Sequence, residues 1–149
     1  MSFVLDASVT LPWFLEDERT RFTDSLLESL SSVDYWVPSV WHLEVVNALL
    51  VAERKRRISP ETRFEALNHI AQLNVRVDAS VPNVRVIGAL SHRHSLTAYD
   101  AAYLELAVRE GLGLVSLDGP LVRAASAEGV PVEAPGRSTA GQRRRRYNI

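Results

Sequence analysis

Four acidic residues hold the positions from which this chain could do chemistry. Asp6 follows at once on the apolar run Phe3-Val4-Leu5, and Asp118 follows Leu114-Val115-Ser116-Leu117. Each run reads as a strand, and in an open α/β sheet ligands bind in the crevice beyond the carboxyl ends of the strands. Glu44 stands in Val40-Trp41-His42-Leu43-Glu44-Val45-Val46-Asn47, where its helical neighbours Val40, Trp41, Asn47, Ala48 and Val51 make a mostly apolar stripe. Asp100 sits in Leu96-Thr97-Ala98-Tyr99-Asp100-Ala101, again with apolar helical neighbours, Tyr103, Leu104 and Ala107. A carboxylate on such a stripe loses hydration, which is costly unless a cation or hydrogen bonds compensate. Acids converging on one edge of one sheet also raise one another's pKa. A divalent ion that prefers hard oxygen, Mg²⁺ or Mn²⁺, makes such a cluster favourable.

Each acid taken alone has a plainer use. Asp6 or Ser8 suits the cap of a following helix, and Asp118-Gly119-Pro120 suits a turn and a helix start. Glu44 suits an ion pair with an arginine. Asp100 follows Thr97 at the spacing of a capping box, although Asp is shorter than the usual Glu. Only the joint convergence of the four distinguishes a metal site from these alternatives.

The elements that must position the acids follow from periodicity. Phe3 to Leu5, Tyr35 to Val37, Val75 to Val77, Leu114 to Leu117 and Val130 to Val132 read as strands bounded by Asp, Pro and Gly. Helical spacing recurs through Phe22, Leu26, Leu27 and Leu30, through Val40 to Ala52, and through Pro60 to Leu73 after Ser59. It recurs again at Val84, Ile87 and Leu90, and from Ala98 to Glu110 between Thr97 and Gly111. Strands separated by helices imply parallel neighbours and right-handed crossovers. The expected fold is α/β, a three-layer α/β/α sandwich with a mainly parallel central sheet. Residues 1–134 read as one domain and 135–149 as an arginine-rich C-terminal tail ending in Arg143-Arg144-Arg145-Arg146.

Composition bounds the class. The chain of 149 residues is 46% hydrophobic and 23% charged, which is ordinary for a globular domain with its own core. It has no cysteine, so disulfides and thiolate metal sites are excluded and the cytoplasm is the expected compartment. No run is long enough for a membrane span, and no basic leader precedes Phe3. A net charge of -1 means that any nucleic-acid contact is local rather than by bulk attraction.

The combination of strand-end Asp6, Glu44 in a Pro38-Ser39-x-x-x-x-Glu44 setting, Leu96-Thr97-x-Tyr99-Asp100-Ala101 and Leu117-Asp118 resembles the acidic quartet of PIN-domain ribonucleases. The spacings resemble those of VapC-type toxins of type II toxin-antitoxin pairs. The resemblance covers roughly the first 130 positions, and its specificity lies in the combination. Ser116 stands where the family often has threonine.

The resemblance implies a metal-dependent endoribonuclease that hydrolyses RNA phosphodiester bonds with metal-activated water. Asp6, Glu44 and Asp100 would hold Mg²⁺ or Mn²⁺, with Asp118 completing the site and Ser8, Thr97 and Ser116 supporting it. It also implies a cognate antitoxin protein and a homodimer. Arg54, Lys55, Arg56 and Arg57 at the end of the third helix could touch RNA, although cations there equally suit the helix dipole. The alternatives are a catalytically silent RNA-binding or interaction module of the same fold, and an RNA-processing PIN nuclease without an antitoxin. Rival enzymes fit less well. A haloacid-dehalogenase-type phosphatase wants a second acid where Ser8 stands, a receiver domain wants a late-strand lysine, and no P-loop Gly-x-x-x-x-Gly-Lys is present. Among the histidines only His92-x-His94 is close-spaced, which is poor for zinc.

Overall fold

The protein is seen in a computed structural model that describes residues 1–138; the run Arg143 to Arg146 lies outside the described residues. Strands β1 (Phe3–Leu5), β2 (Tyr35–Pro38), β3 (Arg76–Asp78), β4 (Gly113–Val115), β5 (Val132–Ala134) and β6 (Arg137–Ser138) form one six-stranded sheet in the order β3-β2-β1-β4-β5-β6. β1 to β5 are parallel, and β6 turns back antiparallel on β5. Helices α1 (Ala7–Thr10), α2 (Arg21–Ser29), α3 (Val40–Arg54), α4 (Pro60–Ala71), α5 (Val84–His94), α6 (Ala98–Glu110) and α7 (Gly119–Ala127) connect them, with short 3-10 turns at Leu11–Trp13 and Glu16–Glu18.

The chain steps from β1 outward to β2 and β3, then crosses to the other side of β1 to form β4 and β5. With right-handed crossovers, that reversal sends α1–α4 to one face and α5–α7 to the other. The packing agrees: α3 touches α1, α4 and β2, whereas α6 lies over β1, β2 and β4 with α5 and α7 beside it. The outcome is the expected α/β/α sandwich. Covered on both faces, β1 and β4 are buried throughout, which is why Phe3-Val4-Leu5 and Leu114-Val115 are unbroken apolar runs. Trp41, Tyr103, Leu104 and Leu106 are among the large side chains that fill the core.

Helix starts are set locally. The side chains of Ser59, Asn83, Thr97 and Asp118 accept the backbone N–H of Thr62, Val86, Asp100 and Leu121 respectively, and Thr20 and Thr23 close a reciprocal capping box on α2. Gly111, at φ 65°, ends α6 in the left-handed conformation that glycine adopts without strain.

Several boundaries differ from the sequence expectation. The fifth strand lies two residues later than Val130 to Val132. Pro131 has no N–H for a ladder and contributes its carbonyl to Leu114 N at 2.8 Å. The fourth strand stops at Val115, because the Leu117 N–H goes to Ser8 Oγ at 2.9 Å instead of a neighbouring strand. Helix α4 stops at Ala71 rather than Leu73. The backbone of Arg137–Ser138, in the segment read as tail, pairs with β5 and so belongs to the sheet. Helix α1 has a single turn, too short to show periodicity.

Candidate active site

The strand order reverses between β1 and β4, so the crevice beyond their carboxyl ends is where a doubly wound sheet exposes a site. Asp6 follows β1 directly and is 5% exposed, with its backbone N–H donating to Val115 O at 3.1 Å. It occupies the N-cap position of α1, yet its carboxylate makes no cap bond. Its Oδ2 instead accepts the hydroxyls of Ser8 at 2.6 Å and Ser116 at 2.7 Å. Burial pushes the Asp6 carboxyl up to about 6. The two serine hydroxyls oppose that shift, and the charges of Glu44 and Asp100 add to it.

Glu44 projects from α3 and is half-buried. Its partner is the Tyr103 hydroxyl, which donates to Oε1 at 2.7 Å, and not the arginine that a plain ion pair would require. Burial raises its pKa, the Tyr103 bond opposes the shift, and Asp100 and Asp118 reinforce it. On α6 the Asp100 N–H donates to Thr97 Oγ1 at 3.1 Å. The Asp100 carboxyl is raised by burial and by the charge of Asp118, with the Thr97 hydroxyl in opposition. Asp118 does act as a cap: its Oδ1 accepts Leu121 N at 3.0 Å, as the plain reading of Asp118-Gly119-Pro120 expects.

The structure thus places all four acids in one electrostatic neighbourhood. Asp6 senses Glu44 and Asp100, Glu44 senses Asp100 and Asp118, and Asp100 senses Asp118. Burial, hydroxyls and one another account for the shifts of Asp6, Glu44 and Asp100, with no cationic side chain among the causes. These donors are hard oxygens carrying uncompensated negative charge, which suits Mg²⁺ or Mn²⁺. Among the described residues no group of three or more His, Asp or Glu side chains is drawn close enough to hold an ion by itself. The acids are therefore coupled through their charges without forming a closed cage.

The supporting residues divide between two acids. Ser8 and Ser116 both reach Asp6, and Thr97 serves Asp100. The basic group at the end of α3 stands apart. Arg54 is ten residues from Glu44, about 15 Å along the helix, and Arg57 pairs with Asp17 at 3.0 Å and Glu18 at 3.5 Å.

Sequence reasoning missed Tyr103 and the pair Trp41–Thr10. Tyr103 is fully buried, and burial together with the charge of Asp6 and the bond to Glu44 raises its phenol well above the ordinary tyrosine value. The available signal was its position one helical turn after Asp100, on the same face of α6. Trp41 Nε1 donates to Thr10 Oγ1 at 3.1 Å, and that hydroxyl points on to the Asp6 carbonyl at 3.4 Å. This couples the start of α3 to the turn that holds Asp6.

Comparison with known proteins agrees with the fold. The family model described as PIN domain matches residues 3–127. No curated protein matches the chain in sequence. Among solved structures, a protein from Pyrobaculum aerophilum is similar, at 19% identity and a TM-score of 0.69 over 89% of each chain. VapBC2 from Rickettsia felis, bound to a DNA fragment from their promoter, is similar at 13% identity and a TM-score of 0.66, over 89% of this chain and 98% of that one. A toxin-antitoxin complex from Klebsiella pneumoniae gives 18% identity and a TM-score of 0.60, over 90% of this chain and 98% of its own. At such identities the likeness is one of fold.

Proposed function

The chain belongs to the PIN-domain family, and from that premise we propose that it is a metal-dependent endoribonuclease acting as the toxin of a toxin-antitoxin pair. The observation that carries the proposal is Asp6: a buried carboxylate, excused from capping its own helix, at the switch point of the sheet and within the field of Glu44 and Asp100. Asp6, Glu44 and Asp100 would hold Mg²⁺ or Mn²⁺, with Asp118 completing the set. When bound, the ion supplies charge neutralisation at a phosphodiester and acidifies water.

The chain's own residues prepare that site. Ser8 and Ser116 both occupy Asp6 Oδ2, which leaves Oδ1 to act. Asp118 is fixed by its bond to Leu121 N, which leaves Oδ2 to act. Two exposed side chains, Leu43 at 72% and Tyr99 at 63%, immediately precede Glu44 and Asp100. Apolar and aromatic surface beside the acids suits the faces of unpaired bases, which favours single-stranded RNA over a duplex.

An antitoxin partner is supported by the VapBC2 and Klebsiella pneumoniae complexes among the similar folds. Half-buried Trp13 and Phe14 offer apolar area for such a partner. Arg54, Lys55, Arg56 and the Arg143 to Arg146 run would meet RNA phosphates. No helix among the described residues is long and apolar enough to cross a membrane, and we place the reaction in the cytoplasm, with the protein as a homodimer.

The test is cleavage of single-stranded RNA by purified protein with Mg²⁺ or Mn²⁺. EDTA and Asp6→Asn should each abolish cutting. Undiminished cutting by Asp6→Asn overturns the assignment.

A further inference from the structure

We infer that Tyr103 is a positioning residue whose hydroxyl ties Glu44 on α3 to the buried face of α6 and so sets where the Glu44 carboxylate stands relative to Asp6. The inference rests on the proposed reading that these acids hold a divalent ion.

The hydroxyl has one proton and it goes to Glu44 Oε1, at 2.7 Å. The N–H groups of a helix's first turn have no partner inside the helix, and a side chain at the N-cap position ordinarily serves one of them. Asp6 stands at that position and does not do so. Its carboxylate turns instead to Ser8 and Ser116, so its place is fixed independently of Glu44.

The Tyr103 hydroxyl thereby restrains Glu44. A glutamate arm has several freely rotating bonds, and a half-buried one without an anchor would sample many positions. Because Tyr103 is 0% exposed, its ring is locked by the core, and its hydroxyl is a fixed point. Phenylalanine would fill the same volume, so packing alone gives no reason for the oxygen.

Hydrogen-bond partners of metal-holding side chains typically alter affinity or activity by about 10- to 100-fold when removed. The experiment is Mn²⁺ titration, followed by calorimetry or electron paramagnetic resonance, of the full chain as wild type, Tyr103→Phe, Glu44→Gln and the double variant, with RNA cleavage measured alongside. Tyr103→Phe should weaken Mn²⁺ binding by about tenfold or more and lower kcat with KM for RNA held within about twofold. In the Glu44→Gln background the same change should add nothing, because the tyrosine acts through the carboxylate that background lacks.

Wild-type affinity in Tyr103→Phe overturns the inference, and so does an equal loss in both backgrounds, which marks a role in the fold alone. Absence of Mn²⁺ binding by the wild type, or indifference to Glu44→Gln, overturns the underlying reading instead. If Tyr103→Phe fails to fold, Glu44→Asp keeps the ring and draws the carboxylate away from it. That variant should show a similar loss of affinity, and wild-type binding by it overturns the inference.

Discussion

A single hydroxyl joins the two strand-end acids: Ser116 Oγ donates to Asp6 Oδ2 at 2.7 Å and accepts the Asp118 backbone N–H at 2.9 Å. The proton is committed to a carboxylate and a lone pair to a peptide, so Ser116 acts as a clip across the point where the strand order reverses. It is wholly buried, and its bond spans 110 positions of sequence.

Ser116→Ala removes the clip and leaves a buried carboxylate with one hydroxyl in place of two. Loss of a hydrogen bond to a charged group costs about 1.5–3 kcal/mol. Urea unfolding at neutral pH in chelated buffer should show that loss, and a midpoint equal to wild type would show that Ser8 alone satisfies Asp6.

Stability without metal should fall as pH rises from about 4 to about 6. Asp6 moves from 3.8 to about 6 on folding. Between those values the folded state keeps a proton that the unfolded chain has released, so raising the pH favours unfolding; above about 6 the effect is complete. The contribution is about 3 kcal/mol, and Glu44 and Asp100 shift in the same direction. Unfolding free energies across this range should decline in wild type and flatten in Asp6→Asn. Parallel curves would remove Asp6 as the cause.

Gly113→Ala should destabilise the centre of the sheet. A Cβ at this position would lie 2.5 Å from two carbons of the Phe3 ring and 3.1 Å from the Pro131 carbonyl oxygen. The ring belongs to the strand that carries Asp6 and has little room to retreat, so the overpacking cost is about 1–3 kcal/mol. Thermal unfolding measures it, and an unchanged midpoint would mean that Phe3 finds another rotamer.

Replacing Arg143 to Arg146 by serine should weaken RNA binding and flatten its salt dependence. Four lost phosphate contacts on a single strand reduce the slope of log K against log salt by about 3. A slope equal to wild type would give the run no part in RNA contact.

Much of this architecture is legible in the chain because burial on both faces writes itself as continuous apolar runs. Phe3-Val4-Leu5 and Leu114-Val115 mark the central strands, and the alternation of runs with helical periods gives the layers. The acids are legible for the opposite reason: Glu44 and Asp100 interrupt apolar helix faces, where a carboxylate loses hydration. What escaped depends on long-range partners. Nothing within one turn of Glu44 indicates a tyrosine from α6, and a single-turn helix such as α1 has no period to detect. Pro131 displaced β5 by withholding one donor, an effect that only the register against β4 reveals.

The double use of Asp118 bears on how this site can be probed. An alanine there removes the N-cap of α7 along with a negative charge, so an inert protein could reflect an unravelled helix as readily as a missing ligand. Asparagine caps about as well as aspartate and discards only the charge. At this position the amide is the informative replacement; at Asp6 the carboxylate supports no helix end, and truncation instead strands the hydroxyls of Ser8 and Ser116.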